Sequence, residues 1–192
     1  MARTILFICT GNVCRSPMAE GLFRCLIEEN EADLIVKSAG VGALDGQPPS
    51  GKAIRAMQDL DIDISPQRSL MLAAELAVEA DMIIGMTHGH VEMVNLMFPH
   101  AADKAFLLRE FDDTLPLHER GISDPIGGSY EVYCQCRDQI REGIDSLLNS
   151  IQQNKSLVPA SMQPVIEIAL GADHAGYGLK KVLGHYLGEK GI

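Results

Sequence analysis

Apolar residues alternate between two spacings along the first 153 residues of the chain. Four short runs are almost wholly apolar and rich in β-branched residues, as buried parallel strands are, and they cover residues 4–8, 34–41, 81–86 and 104–108. Apolar positions at helical spacing predict helices over residues 17–26, 49–60, 70–80, 91–98 and 133–153. This alternation of strands and helices predicts an α/β fold, a doubly wound parallel four-stranded sheet with helices on both faces.

The loop after the first run has the composition of an anion site. Residues 9–17 read Cys-Thr-Gly-Asn-Val-Cys-Arg-Ser-Pro, and Pro17 takes the first helical position, where a missing N–H costs nothing. A strand, a tight loop and a helix N-terminus in succession direct several backbone N–H groups at one point. We therefore expect an anion to bind at the carboxyl end of the first strand.

Two side chains of this loop would add catalysis to anion binding. Cys9 and Arg15 have the C-x5-R spacing that encloses one phosphoryl group. A guanidinium can hold two phosphoryl oxygens, and its positive field favours the nucleophilic thiolate of Cys9. Ser16 can donate a hydrogen bond to that sulfur, and Asn12 tolerates a left-handed backbone and can hold the loop internally. Taken alone, the spacing also fits a buried cysteine followed by a solvated arginine.

The whole string CTGNVCRSPMAE in this context resembles the low-molecular-weight protein tyrosine phosphatases, and the resemblance covers residues 1–153. It implies hydrolysis through a phosphocysteine on Cys9 and requires no cofactor or metal. It further implies that Ser38 supports the loop by bonding to Asn12. The residues that would surround the phosphate are Thr10, Gly11, Asn12, Val13, Cys14 and Ser16.

The attack on phosphorus also needs a proton donor for the leaving group. Between residues 111 and 130 the pattern becomes irregular, and Asp124 is followed there by Pro125, which keeps the preceding backbone extended. The family places its general acid in a similar Asp-Pro pair. Asp112 and Asp113 are rival candidates, but they lack the proline and lie nearer the end of a strand.

Two sequence features point to different substrates. Ile126-Gly127-Gly128 follows Asp124-Pro125, where tyrosine-specific members have aromatic residues, and with Met86-Thr87 it resembles the bacterial protein-arginine phosphatase branch. That branch typically has threonine where this chain has Val13, which is closer to the isoleucine of tyrosine-specific members. We predict a phosphotyrosine phosphatase, with phosphoarginine as the alternative. An arsenate reductase is less favoured, because residues 87–110 contain no cysteine for a relay.

The remaining cysteines and histidines have several interpretations. Cys14 either forms a reversible disulfide with Cys9, protecting the nucleophile, or is a small buried residue, and the two alternatives are equally favoured. Cys25 and Cys136 lie on apolar helix faces and are expected in the core, whereas Cys134 and Cys136 make a poor metal pair. His88 and His90 are expected in a loop before the helix over residues 91–98 rather than at a metal.

The end of the chain resembles a different family. Residues 154–163 are polar and fit a linker, and residues 164–192 resemble the N-terminus of ribose-5-phosphate isomerase type B, in which Asp173 and His174 would contact a sugar phosphate. The rest of the isomerase sheet does not follow before Ile192. The expectation is a truncated isomerase-like fragment without isomerase activity.

Charge narrows the choice of partners. Sixteen Lys and Arg residues against 26 Asp and Glu residues give a net charge of −10, which opposes binding to nucleic acid and anionic membranes. No apolar segment approaches the roughly 18 residues of a membrane span, and no signal-peptide pattern begins the chain. We expect a cytoplasmic protein whose partners are a phosphorylated protein and inorganic phosphate.

Overall fold

A four-stranded parallel sheet organises the molecule. The computed structural model describes residues 3–29 and 34–154. The strands are β1 (Arg3–Cys9), β2 (Leu34–Gly40), β3 (Met82–Gly85) and β4 (Ala105–Leu107). All neighbouring strands are parallel, in the order β2-β1-β3-β4. The predicted α/β fold is confirmed, and the carboxyl end of the central strand β1 leads through residues 10–14 to the helix that begins at Arg15.

Helices cover both faces of the sheet. They are α1 (Arg15–Glu29), α2 (Gly51–Gln58), α3 (Ala74–Glu79), α4 (His88–Met97) and α5 (Tyr130–Asn154). Three short 3-10 helices lie at Pro99–Lys104, Leu108–Phe111 and Leu117–Glu119. Side chains of β1 alternate between the two faces, as a strand buried on both sides requires. Ile5 and Phe7 pack with residues of α1, α2 and α5, whereas Leu6 and Ile8 pack with residues of α3 and α4.

The predicted apolar face of the last helix is buried in α5, and α5 ends at Asn154, close to the expected residue 153. The buried residues are Tyr133, Cys136, Ile140, Ile144, Leu147, Leu148 and Ile151. The predicted linker at residues 154–163 and the isomerase-like segment at residues 164–192, with Asp173 and His174, lie outside the described residues except for Asn154. The proposed domain division therefore stays a prediction.

The helix predicted over residues 70–80 is wrong in its first part. Only Ala74–Glu79 is helical. Leu72 donates its N–H to the carbonyl of Gly40, and Met71 forms a parallel bridge with Gly40, so this segment lies extended beside the end of β2. Backbone pairing with a distant strand has replaced the local helical preference.

Two other helices differ from their predicted bounds. The helix predicted over residues 49–60 covers only Gly51–Gln58, since Ser50 caps it by accepting a hydrogen bond from Ala53 N–H. The helix predicted over residues 91–98 begins three residues earlier, at His88, and Thr87 is its N-cap. The histidines expected in a loop therefore lie in the first turn of α4.

No helix within residues 3–29 and 34–154 is long and apolar enough to cross a membrane.

Candidate active site

The Cys9 sulfur lies buried at the end of β1 and is surrounded by hydrogen-bonding groups. Its Sγ is 3.0 Å from the Ser16 hydroxyl oxygen. The backbone N–H of Asn12 also donates to it, over 3.3 Å. Donors directed at a sulfur stabilise its anionic form, both as a nucleophile and as a leaving group.

Asn12 holds the loop in shape through three side-chain hydrogen bonds. Its Nδ2 donates to the hydroxyl oxygens of Ser16 and Ser38, each over 2.9 Å. Its Oδ1 accepts from the backbone N–H of Leu70 over 2.8 Å. The backbone of Asn12 has φ of 52°, in the left-handed region that asparagine tolerates better than most residues. The contact between Asn12 and Ser38 that the family resemblance implies is present in the structure.

The network continues from Ser38 to the surface through residues that the sequence did not single out. The Ser38 hydroxyl donates to the Glu20 carboxylate over 2.6 Å. Arg24, one turn further along α1, forms an ion pair with that carboxylate. Glu20 ends the CTGNVCRSPMAE string, so the motif contained it, but only the fold shows its partner.

Gly40 lets β2 approach the loop closely. A Cβ atom at this position would lie 2.5 Å from the Thr10 carbonyl oxygen and 2.9 Å from the Asn12 nitrogen. Both are backbone atoms that cannot move aside without disturbing the loop. The Ser-Ala-Gly end of β2 thus supports the loop twice, by the Ser38 hydroxyl and by the missing side chain of Gly40.

Arg15 connects the loop with the candidate acid. Its Nη1 donates to the carbonyl of Ile122 over 3.2 Å, and its Nη2 forms an ion pair of 2.5 Å with the Asp124 carboxylate. The Arg15 side chain is 4% exposed, and that of Asp124 is 39% exposed. Arg15 Nε is buried with no hydrogen-bond partner among the described residues, which leaves a donor for an oxyanion.

A cavity of about 290 Å³ opens above the sulfur. It is lined by Cys9, Thr10, Gly11, Val13, Cys14, Arg15, Asp124 and Ile126. Asn12 and Ser16 are buried and lie outside this lining, where they hold the loop and the sulfur. The rival acids Asp112 and Asp113 are also absent from the lining, and the Thr114 hydroxyl, by donating to Asp112, lowers the pKa of that carboxyl.

The segment that bears Asp124 is held by a few long side chains. Buried Arg120 donates to the carbonyls of Leu115 and Glu110. Lys52 of α2 donates to the carbonyl of Gly128 over 2.5 Å. The segment that these contacts hold brings Asp124 to the same cavity as Cys9, and the Asp124 side chain stays 39% exposed.

Cys14 contacts a second set of polar groups. Its Sγ is 3.4 Å from the Ser50 hydroxyl and 3.4 Å from the Tyr133 hydroxyl. Burial, followed by the contact with Cys14, raises the pKa of Tyr133. Both Cys9 and Cys14 are unbridged, and the predicted reversible disulfide between them stays a prediction.

Two other cysteines differ in environment. Cys136 is buried, and burial raises the pKa of its thiol to about 12, so it stays protonated at neutral pH. Cys25, predicted to lie in the core, is half-buried and lines a small surface cavity with Leu22 and Arg141. Cys25 lies on helix α1 as predicted, but the described residues bury it only in part.

His90 is a site residue that the sequence reasoning missed. Its ring lies 3.0 Å from the Thr10 hydroxyl in the phosphate loop. His88 is exposed and hydrogen-bonds instead to the carbonyl of Leu117, so the two histidines face different surroundings. Within the described ranges no three His, Cys, Asp or Glu residues lie close enough to hold a metal ion. Thr87 was the available signal that the helix begins at His88, since threonine commonly caps helices.

Comparison with known proteins decides the family. The sequence model described as low molecular weight phosphotyrosine protein phosphatase matches residues 4–157. The chain belongs to this family of hydrolases. The recognition made from the string around Cys9 is thereby confirmed for the phosphatase part.

Relatives in this family carry two kinds of substrate name. The chain is 34% identical over 151 residues to a protein-arginine-phosphatase of Bacillus subtilis, covering 79% of this chain and 98% of that protein. It is 39% identical over 152 residues to the protein-arginine-phosphatase of Geobacillus stearothermophilus, again covering 79% and 98%. The solved low molecular weight protein tyrosine phosphatase from T. tengcongensis matches with a TM-score of 0.72 and 36% identity, over 77% of this chain and 99% of that one.

Proposed function

We propose that the protein is a cysteine-dependent protein phosphatase that hydrolyses phosphotyrosine through a phosphocysteine intermediate. The observation that carries the proposal is the geometry at the sulfur. Cys9 Sγ lies beside two hydrogen-bonding groups at a cavity that Arg15 and Asp124 also line. Nucleophile, anion-binding guanidinium and proton donor therefore meet around a single space.

In the first step the Cys9 thiolate attacks phosphorus while the bond from phosphorus to the phenolic oxygen breaks. Arg15 and the loop N–H groups hold the phosphoryl oxygens, and protonated Asp124 gives its proton to the leaving oxygen. A bound phosphoryl group competes with the Asp124 carboxylate for the Arg15 donors, because both are anions. Binding of substrate would thus release Asp124 from its 2.5 Å ion pair for its role as the acid.

In the second step a water molecule attacks phosphorus, and Asp124, now a carboxylate, accepts its proton. The bond from phosphorus to sulfur breaks, inorganic phosphate forms, and the electron pair returns to Cys9 as a thiolate. The hydrogen bonds from Ser16 and the Asn12 N–H stabilise the thiolate that departs. Every proton transfer is assigned to residues of the chain or water, so the cycle needs no metal or cofactor.

The preference for phosphotyrosine is supported by Val13. This half-buried residue lines the same cavity as Cys9 and offers only methyl groups there. A phenyl ring can contact methyl groups without loss. The guanidino nitrogens of phosphoarginine would lose hydrogen bonds to water there, which costs free energy.

Phosphoarginine remains a second candidate because of the segment after Asp124. Ile126 is 69% exposed, and Gly127 follows it with φ of 76°, so the residues directly after Pro125 present no aromatic side chain to a phenol. Of the three proteins compared above, those of Bacillus subtilis and Geobacillus stearothermophilus are named protein-arginine-phosphatase, and the third is a tyrosine phosphatase. The exposed Ile126 and the glycine after it leave this side of the cavity without an aromatic wall, which favours phosphoarginine.

The decisive experiment assays the full chain on para-nitrophenyl phosphate, a phosphotyrosine peptide and a phosphoarginine peptide. We expect turnover of para-nitrophenyl phosphate and a higher kcat/KM for phosphotyrosine than for phosphoarginine. Cys9→Ser should abolish turnover and retain binding of vanadate, since the pocket persists without its nucleophile. Cys25→Ser is the matched control, and substantial activity in the Cys9 variant would refute the mechanism.

Two substitutions test which feature sets the substrate. Val13→Thr adds a hydroxyl beside the bond that breaks, so the phosphoarginine-to-phosphotyrosine ratio of kcat/KM should rise, chiefly through kcat. Ile126→Tyr adds a stacking surface worth about 0.5–1.5 kcal/mol and should lower KM for phosphotyrosine. An unchanged ratio in the Val13 variant would remove the main support for phosphotyrosine.

The cellular setting follows from charge and thiol chemistry. A net charge of −10 disfavours nucleic acid and anionic membranes as partners. A catalytic thiolate needs a reducing compartment. We infer a cytoplasmic enzyme that acts on phosphorylated proteins and releases inorganic phosphate.

A further inference from the structure

The start of α4 brings His90 against the phosphate loop. Gly85 ends β3, and a Cβ atom there would lie 2.9 Å from Val91 Cγ2 and 3.2 Å from His90 Cβ. A glycine at this position lets the first turn of α4 pack directly against the end of the strand. His90 is 5% exposed as a result, and its ring reaches the loop that follows β1.

The hydrogen bonds of the ring determine which nitrogen carries the proton. The backbone N–H of Thr87 donates to His90 Nδ1 over 3.1 Å. An N–H group can only donate, so Nδ1 must present its lone pair and the proton lies on Nε2. Because Nε2 is 3.0 Å from Thr10 Oγ1, the ring donates to the hydroxyl oxygen of Thr10.

The ring keeps this neutral form over the physiological range. Burial, followed by the positive charge of Arg15, lowers the pKa of His90 to about 4, although Asp124 acts in the opposite direction. At neutral pH the ring is therefore neutral, with its proton on Nε2 directed at Thr10.

Thr10 differs from the buried phosphate-loop residues of the cavity by being exposed. Cys9, Cys14 and Arg15 are buried, whereas Thr10 lies at the mouth. Among the described residues, His90 is the only hydrogen-bond partner of the Thr10 hydroxyl. Since its oxygen already accepts from the ring, the hydroxyl proton remains available to an acceptor at the mouth.

We propose that Thr10 is a substrate-contacting residue and that His90 is its positioning residue, given that the protein is the phosphatase proposed above. The phosphoryl group must reach Cys9 inside the cavity. The substrate protein that carries this group therefore contacts the residues at the mouth of the cavity. Main-chain carbonyl oxygens next to the phosphorylated residue are the acceptors that every protein substrate has. The Thr10 hydroxyl, oriented by His90, donates a hydrogen bond to one of them.

The first test compares a phosphopeptide with para-nitrophenyl phosphate, which has no main chain. The measured quantity is the ratio of kcat/KM for the phosphopeptide to kcat/KM for para-nitrophenyl phosphate, using the phosphopeptide that the wild type prefers. We expect Thr10→Val, which preserves shape and removes the hydroxyl, to lower this ratio about tenfold, mainly through KM. Thr10→Ser, which keeps the hydroxyl, should stay within about twofold of the wild type.

The second test separates positioning from folding. In His90→Asn the amide can still accept from Thr87 near the Nδ1 position, but nothing reaches Thr10. In His90→Gln the amide nitrogen can take the place of Nε2. We expect the Asn variant to lower the ratio as Thr10→Val does and the Gln variant to recover most of it. Thermal unfolding of both variants serves as the check on folding.

The double variant decides whether His90 acts through Thr10. If it does, His90→Asn with Thr10→Val lowers the ratio no further than Thr10→Val alone. Additive losses would overturn the positioning role, and an unchanged ratio in Thr10→Val would overturn the substrate contact. Absence of turnover in the wild type on all three substrates would instead refute the proposed phosphatase and this proposal with it.

Discussion

The two sides of the cavity are held in contrasting ways. The phosphate loop, residues 9–16, is largely buried and held by short polar side chains such as Asn12, Ser16 and Ser38. The acid segment, residues 112–128, is largely exposed and held by long cationic side chains, Arg15, Arg120 and Lys52. Cys9, the proposed nucleophile, thus lies among buried hydrogen bonds, whereas Asp124, the proposed acid, lies on a largely exposed segment.

The difference suits the chemistry of each side. A sulfur that attacks and later leaves benefits from donors that do not reorganise between the two steps. An acid that gives up a proton and later takes one from water needs access to solvent and exchangeable partners. Arg15 belongs to both sides, because it lies in the loop and contacts Ile122 and Asp124.

Replacing Arg15, which belongs to both sides of the cavity, should have the largest effect on activity. Arg15→Lys keeps the charge but loses the planar group that contacts both Ile122 and Asp124. We expect kcat/KM for para-nitrophenyl phosphate to fall by about 10²–10³-fold. Arg24→Lys, on the exposed end of the Glu20 network, is the control. A loss below tenfold in the Arg15 variant would show that charge alone is sufficient.

Removing the carboxyl group of Asp124 tests the acid segment alone. Asp124→Ala should reduce kcat for phenyl phosphate, a substrate with a poor leaving group, by about a hundredfold or more. Para-nitrophenyl phosphate needs less protonation, so its loss should be clearly smaller. Asp113→Ala, an exposed neighbour outside the cavity lining, is the control. Equal losses on the two substrates would exclude Asp124 as the proton donor.

The rigidity of the loop is tested by two residues that share a left-handed backbone. Asn12 has φ of 52° and three side-chain hydrogen bonds, whereas Asp61 has φ of 59° on an exposed turn. Alanine at either position incurs the backbone cost of about 1–2 kcal/mol. Asn12→Ala should lose a further 1–3 kcal/mol of unfolding free energy, measured in urea, and about tenfold in kcat/KM. Similar losses in both variants would show that the hydrogen bonds contribute little.

The smallest effect is on the pH dependence of stability. His90 has a pKa of about 4 in the folded protein against 6.5 in an unfolded chain, so the unfolded state binds the proton first. Stability from this residue is complete above pH 6.5 and declines as pH falls towards 4. His90→Gln, which leaves Arg15 and Asp124 in place, should weaken the dependence of the denaturant midpoint on pH between pH 4 and 6.5. His88→Gln, at an exposed position, should show the same pH dependence of the midpoint as the wild type. An identical pH dependence in both variants would exclude His90 as its source.

The elements predicted correctly were those specified by neighbouring residues. The four strands and the long helix α5 show their pattern within a few turns of chain, and burial followed that pattern at Ile5, Phe7 and Ile140. The first part of the helix predicted over residues 70–80 was wrong because Leu70 and Leu72 give their N–H groups to Asn12 and Gly40, more than 30 residues away in sequence. No local pattern contains those partners.

The same distinction separates the site residues. Cys9, Arg15 and Asp124 were chosen from a motif and an Asp-Pro pair, since nucleophile, guanidinium and acid are chemical types that a sequence displays. The role of His90 could not be chosen in that way. A histidine reveals neither its burial nor its tautomer, and both depend on Thr87, Gly85 and a loop 80 residues earlier.

The sequence by itself determined the parallel α/β fold, the nucleophile candidate and the family, because strand and helix periods and the C-x5-R string are local properties. Only the tertiary structure decided that Arg15 forms an ion pair with Asp124, that Ser38 of the Asn12 network donates to Glu20 and that His90 hydrogen-bonds to Thr10. These contacts depend on where the sheet brings its carboxyl ends together. Direction and distance between remote side chains are set by packing, which no stretch of sequence contains.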